Sequence, residues 1–161
     1  MPDMLVKLYT LPESAPLVAE QRAAGVDIRR ALVPEKHIVV EWVRQTFGQD
    51  WASECEIAFA RQPVACFIAV EHNNVLGFAC YDATCKNFFG PMGVDPAREG
   101  RRIGTALLVM ALQAQAAEGY AYSIVGSVGP AEFYAKTVGA QIIPDSVPGI
   151  YRGLLSTESE D

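Results

Sequence analysis

A strand-like segment runs directly into a helical one in the second half of the chain, and this junction limits the folds that are available. Residues 86–94, "KNFFGPMGV", favour a strand, and apolar residues recur at three- and four-residue steps over 103–118, which predicts a helix. The polar turn between them carries three arginines, Arg98, Arg101 and Arg102. Such a turn exposes the unpaired N–H groups of the first helical turn. The pattern predicts a phosphate-sized anion site, with a solvated helix start as the alternative.

The strand before this turn carries an interruption. Gly90 and Pro91 lie within it. A proline has no N–H to donate to a neighbouring strand. We therefore expect the pairing of this strand to break at Pro91.

The other apolar segments predict one α/β layered domain in which helices interleave with a mixed sheet, in the order β-α-α-α-β-β-β-α-β-α-β-β. Strands are expected in "MLVKLYTL", "VACFIAVE", "VLGFACYD", "YAYSIVGS", "AQIIP" and "GIYRGLL". Helices are expected after Ser14, at 34–48, at 51–60 and at 130–138. The domain is expected to span 1–155, and an acidic, frayed tail to follow at 156–161.

Charge and composition narrow the classes of partner. The 161 residues are 50% hydrophobic and carry a formal net charge of −6, so the overall field repels nucleic acid. The N terminus lacks the pattern of a signal peptide, and no apolar run approaches the ~18 residues of a membrane span. We expect a cytoplasmic protein with no nucleic-acid or membrane partner.

The cysteines follow no metal-binding pattern. The four are Cys55, Cys66, Cys80 and Cys85. They form no CxxC pair, and neither of the two histidines, His37 and His72, lies at ligand spacing from them. The sequence predicts reduced, buried thiols and no metal. A disulfide between Cys80 and Cys85 and a nucleophilic cysteine remain as alternatives.

A second informative segment, "EFYAKTVGA", places Phe133 and Tyr134 side by side on a short predicted helix. Adjacent helical residues point in different directions, so one ring can enter the core while the other faces elsewhere. Tyr134 is a candidate for a chemically active hydroxyl, with simple ring packing as the alternative.

Together, the strand ending at "VDP", the glycine-containing turn, the long apolar helix and "EFYAKTVGA" resemble the GNAT superfamily of acyl-CoA-dependent N-acetyltransferases. The likeness covers about residues 64–155. It implies a mixed, mostly antiparallel sheet of six or seven strands, flanked by helices and splayed between its fourth and fifth strands. Acetyl-CoA would lie in the gap as cosubstrate.

The resemblance also implies roles for individual residues. Tyr134 falls on the catalytic tyrosine that protonates the departing thiolate of CoA. The residues expected to contact the cofactor are Met92, Gly93, Val94, Arg98, Glu99, Gly100, Arg101, Arg102, Ile103, Gly104, Thr105, Ser127 and Phe133. Ser127 stands where many members have an asparagine. No residue is expected to bind a metal.

The turn departs from the family pattern Arg/Gln-x-x-Gly-x-Gly/Ala. Counted from "VDP", Glu99 replaces the first residue, Arg102 replaces the first glycine, and Gly104 matches. A second register, starting at Arg101, fits every letter but needs a turn that is two residues longer. We prefer the first register, because it aligns "IGTALL" with the helix start of the family.

The implied function is transfer of an acetyl group from acetyl-CoA to a primary amine of a small molecule or peptide, by direct attack in a ternary complex. The candidate general bases are Asp82, Glu41, Glu54 and His37, or a chain of water molecules. A GNAT-like module that binds acyl-CoA without catalysis is the alternative, and a nucleotide-binding protein of another fold is the third. The resemblance also implies a homodimer that forms through the C-terminal strands.

Overall fold

The computed structural model describes residues 1–157, so the end of the predicted acidic tail, 158–161, lies outside the described residues. Within 1–157 the strands are β1 (Met4–Lys7), β2 (Asp27–Arg30), β3 (Cys66–Glu71), β4 (Asn74–Tyr81), β5 (Phe88–Val94), β6 (Tyr122–Val125) and β7 (Gln141–Ile142). The α-helices are α1 (Ser14–Ala23), α2 (Lys36–Phe47), α3 (Gln49–Ala58), α4 (Ile103–Ala117) and α5 (Ala131–Val138). No helix in this part of the chain combines the length and hydropathy needed to cross a bilayer.

All seven strands form one sheet in the order β2-β3-β4-β5-β6-β1-β7. Every neighbouring pair is antiparallel except β5 and β6, which are parallel. Helix α4 packs against β3, β4 and β5 and also against α1, which explains why most of its circumference is apolar. The predicted mixed, mostly antiparallel sheet flanked by helices is confirmed.

The sheet splays open between β5 and β6. These strands pair at only two positions, Phe88 with Ile124 and Phe89 with Val125. Strand β2 was not predicted, so β5 and β6 are the fourth and fifth strands of the sequence-based order. The predicted splay is confirmed at this place.

A bulge in β5 lies where the splay begins. Phe89 is opposite Tyr81 and Met92 is opposite Ala79, so the two residues 90–91 on β5 face a single residue on β4. The extra residue bends the bulged strand. The interruption predicted from Pro91 is confirmed.

The expectation that "GIYRGLL" forms a strand is wrong. Residues Gly149–Tyr151 form a 3₁₀ turn, and Gly149 and Gly153 adopt left-handed backbone angles, with φ of 61° and 71°. These angles are incompatible with a continuous strand. On the side away from β5, β6 pairs with β1, in which Met4 and Val6 are buried.

Candidate active site

The gap between β5 and β6 opens into a cavity of about 1240 Å³. A pocket for one drug-sized ligand usually measures about 300–1,000 Å³. The walls are the bulged half of β5, the start of α4, the segment from β6 to α5, helix α3, and the C-terminal turn. The cavity is therefore large enough for two molecules to lie in contact.

Most of the residues expected at the site surround this cavity. Those that line it are Met92, Gly93, Val94, Arg98, Glu99, Gly100, Arg102, Ile103, Gly104, Thr105, Ser127, Phe133 and Tyr134. Arg101 is not among the lining residues of the described chain, and the structure does not bring it to the site.

One end of the cavity is the N-terminus of α4. Within residues 1–157, no side chain caps this helix, so its first N–H groups are free for an anion. Arg102 precedes the helix with φ of 60°, a left-handed conformation that glycine adopts most easily. The preferred register, which aligns Arg102 with the first glycine of the family pattern, is compatible with this conformation and stays a prediction.

The three arginines of the turn differ in what they contact. Arg101 Nη2 lies 2.7 Å from Glu71 Oε2, and its hydrogen bond lowers the pKa of Glu71. Arg98 Nη1 lies 3.6 Å from the other oxygen of Glu71, while the buried Arg98 Nε has no partner within the described residues. Arg102 pairs with the exposed Glu20 at 2.9 Å. Arg98 and Arg102 line the cavity beside the start of α4, whereas Arg101 is held against Glu71 outside it.

The edge of β5 that faces the gap offers backbone groups. Asp95 N–H donates to Leu76 O at 2.7 Å, so these two residues form a hydrogen-bonded pair of the β4–β5 ladder. Bonded and non-bonded pairs alternate along an antiparallel ladder, so Gly77 and Val94 are a non-bonded pair and Phe78 and Gly93 are a bonded one. Successive residues direct their N–H groups to opposite sides of the strand. The N–H of Met92 therefore points into the gap.

Tyr134 lies on the wall of the cavity. Its side chain is buried, with 7% exposed, and its ring makes edge contacts with Phe133 at 5.2 Å and Phe89 at 6.3 Å between centroids. Burial raises the pKa of Tyr134 to about 12. The hydroxyl therefore holds its proton throughout the neutral range.

The opposite end of the cavity is acidic. Asp50 and Glu54 project from α3, and Thr84 Oγ1 donates to Glu54 Oε1 at 2.6 Å. Burial raises the pKa of Glu54; the Thr84 hydrogen bond opposes this shift, and the nearby charge of Asp50 adds to it. Of the predicted base candidates, Glu54 is the one that lines the cavity within the described chain.

The other candidate bases lie elsewhere. Glu41 pairs with Arg44 on the outer surface of α2, and His37 is exposed. Asp82 accepts a 2.8 Å hydrogen bond from the backbone of Asn87 and lines a separate cavity of about 390 Å³. The structure does not bring these three side chains to the gap.

Several lining residues had no clear signal in the sequence. Trp51 lines the cavity, but the sequence pattern assigned it to the start of the helix expected at 51–60. Asp50 directly precedes that predicted helix and belongs to no recognised motif. Tyr151 was missed because its segment was assigned to a strand.

A sheet split between parallel neighbours, with a helix N-terminus and a buried tyrosine facing the split, is the arrangement of the GNAT fold. Residues 62–137 match the family model described as "Acetyltransferase (GNAT) domain". The GNAT resemblance predicted from the sequence is thus found both in this family model and in the fold. No curated protein sequence matches the chain.

Solved structures share the fold at low sequence identity. A GCN5-related glucosamine N-acetyltransferase region of a fungal multi-domain β-N-acetylglucosaminidase matches with a TM-score of 0.71 and 16% identity, over 88% of this chain and 19% of that one. A GCN5-related N-acetyltransferase from Sphaerobacter thermophilus matches with 0.63 and 18%, over 88% and 48%. An aminoglycoside acetyltransferase from an uncultured soil sample matches with 0.54 and 13%, over 71% and 88%. The chain thus spans less than half of the first two relatives.

Proposed function

We propose that residues 1–155 form one acetyltransferase domain that moves an acetyl group from acetyl-CoA to a primary amine of a small molecule or peptide. The amine attacks directly while both substrates are bound. The observation that carries this proposal is one cavity lined by Tyr134, by the cationic start of α4 and by Glu54. Each end suits one substrate.

The anion end fits the pyrophosphate of CoA. The free N–H groups at the start of α4, with the side chains of Arg98 and Arg102, would hold it, because helix N-termini and guanidinium groups both favour phosphate. The open edge of β5 would receive the amide groups of the pantetheine arm. When bound there, acetyl-CoA supplies the reactive thioester.

The acidic end fits an amine. Glu54 is held by Thr84 on the wall of the cavity and would take the proton that the amine must lose before it attacks. Asp50 lies one helical turn earlier on the same wall, so the acceptor end is anionic. This charge attracts a protonated amine from solution.

Two groups on the wall stabilise charge as the thioester breaks. The Met92 N–H would donate to the carbonyl oxygen, where negative charge develops. Tyr134 would donate its proton to the departing sulfur. It is protonated at neutral pH because burial raises its pKa to about 12.

A non-catalytic acyl-CoA-binding domain is the second candidate. It is favoured by Glu99 and Arg102, the two residues at which the turn departs from the family pattern. Turnover separates the two candidates, since only the enzyme releases free CoA in the presence of an amine.

The first experiment is an isothermal titration with acetyl-CoA of the wild-type protein and three variants, Arg98→Ala, Arg102→Ala and Arg101→Ala. We expect the first two to weaken binding by about tenfold, the scale of one charge-assisted contact, and Arg101→Ala to serve as the matched control. CoA release is then measured against a panel of amines. No saturable binding would overturn both candidates, and ATP competing for the same site would favour a nucleotide-binding protein.

A further inference from the structure

Three cysteines that are far apart in the sequence meet in the core, outside the candidate active site. Cys55 comes from α3, Cys66 from β3 and Cys80 from β4, and their sulfur atoms all lie within 4.8 Å of one another. Cys66 and Cys80 are directly opposite in the β3–β4 register. We refer to these residues as the three-thiol cluster.

The cluster is closed to solvent. All three cysteines have 0% of their surface exposed. The fourth cysteine, Cys85, lies outside the cluster and is half-buried. The structure thus separates the thiols into three that face one another and one that does not.

The spacing of the three sulfurs suits a metal ion at their centre. Metal–thiolate bonds are about 2.3 Å long, so three sulfurs around an ion in one plane are about 4.0 Å apart. The sulfurs of the cluster reach this spacing by moving together by less than about 1 Å. Such a shift is within reach of side-chain rotation.

The donor set restricts which ion can bind. Structural zinc sites take four ligands, whereas the group found within the described residues has three, all of them sulfur. Soft thiolate ligands favour Cu(I), Zn²⁺ and iron–sulfur clusters over hard cations, so the number of ligands decides among these. A site with three ligands, all of them sulfur, therefore favours Cu(I) over Zn²⁺.

We propose that the three-thiol cluster is a binding site for one Cu(I) ion. The three thiols lose their protons as the ion binds, and each sulfur bonds to the ion as a thiolate. Three protons are released for each ion bound, and neither the copper nor the sulfur changes oxidation state. The ion joins α3 to the sheet.

The test is an anaerobic competition in which the reduced protein removes Cu(I) from its coloured complex with bicinchoninate. We expect one Cu(I) per chain in the wild type and in the control variant Cys85→Ser. Cys55→Ala and Cys80→Ala should bind Cu(I) about 100-fold more weakly, since even loss of a supporting contact costs about 10- to 100-fold in metal affinity. Failure of the wild type to remove Cu(I), or equal loss in Cys85→Ser, would overturn the proposal.

A second measurement does not depend on the folding of any variant. X-ray absorption at the copper edge of the loaded wild-type protein should show sulfur neighbours at about 2.3 Å. Nitrogen or oxygen neighbours would refute the site, and so would displacement of the copper by an equimolar amount of Zn²⁺. Neither experiment uses acetyl-CoA, so the result is independent of the proposed enzymatic function.

Discussion

The Thr84 hydroxyl donates a 2.6 Å hydrogen bond to Oε1 of Glu54 and so joins the β4–β5 connection to α3 at the acidic end of the cavity. The two residues are 30 positions apart in the chain, and each comes from a segment whose sequence carries no catalytic motif. The bond fixes the direction of the one candidate base that reaches the gap within the described chain.

Replacement of this carboxylate should remove most of the activity. We expect Glu54→Gln to lower kcat/KM by about 10²- to 10⁴-fold, the usual contribution of a general base, and to leave acetyl-CoA binding unchanged. Glu56→Gln is the matched control, because Glu56 pairs with Lys36 on the exposed side of the same helix. Steady-state kinetics that show equal activity for both variants would exclude Glu54 as the base.

Loss of the supporting hydroxyl should have a smaller effect. Thr84→Val keeps the size of the side chain but removes the donor, and we expect kcat to fall about tenfold, as for one hydrogen bond to a charged group. Thr84→Ser should restore activity because it keeps the hydroxyl. If the serine variant is as slow as the valine variant, Thr84 acts by packing and not by positioning Glu54.

Tyr134 should act on turnover and not on binding. We expect Tyr134→Phe to lower kcat by about 10²-fold while the Kd for acetyl-CoA measured by titration stays the same. Because the pKa of Tyr134 is raised to about 12, its proton remains bound as the pH rises, and activity should show no loss from this group below about pH 10.

The exposed Tyr9, far from the cavity, provides the control Tyr9→Phe. An alkaline loss of activity near pH 9 that disappears in Tyr134→Phe would contradict the pKa assigned to Tyr134. Unchanged turnover in Tyr134→Phe would contradict the role of Tyr134 as the proton donor.

The left-handed backbone at Arg102 gives a prediction for stability. Both Arg102→Gly and Arg102→Ala lose the ion pair with Glu20, but only glycine adopts a φ of 60° without strain. The glycine variant should exceed the alanine variant by about 1 kcal/mol in the free energy of unfolding. Urea denaturation measures the difference, and equal midpoints would argue against the conformation.

Gly93 allows an aromatic ring to pack on β5. A Cβ at this position would lie 2.7 Å from Cε2 and 2.8 Å from Cε1 of Phe47, and that ring is held by Trp42, Trp51 and Phe78. We expect Gly93→Ala to lower the free energy of unfolding by about 1–3 kcal/mol, as overpacking does.

The control for this variant is Gly129→Ala, since a Cβ at Gly129 would meet no atom within 4 Å. Thermal unfolding should show a lower midpoint for the first variant alone. A similar loss in both variants would mean that the loss of glycine from the backbone, and not contact with Phe47, explains the lower stability.

Features that depend on local chemistry were predictable. The apolar repeat of α4 and the missing N–H of Pro91 act through neighbouring residues, so the helix, the turn before it and the bulge in β5 could be inferred from short segments. The positions of most residues expected around CoA then followed from the family resemblance. Their roles in binding remain predictions.

Features that depend on distant partners were not predictable. The side chain of Arg101 could have joined the anion site, but Glu71 from the end of β3 binds it elsewhere. The partner that holds Arg101 lies far from the turn in the sequence, so this contact is not visible in the turn itself.

By itself, the sequence determined a GNAT-type sheet with a break in its fourth predicted strand and a polar turn before its longest helix, because periodicity and backbone chemistry act over a few residues. Tertiary structure alone decided that Glu54 meets Thr84 and that Cys55, Cys66 and Cys80 meet in the core. These contacts join residues 11 to 30 positions apart, and their geometry depends on how α3 packs against the sheet. That packing is a property of the whole core and not of any one segment.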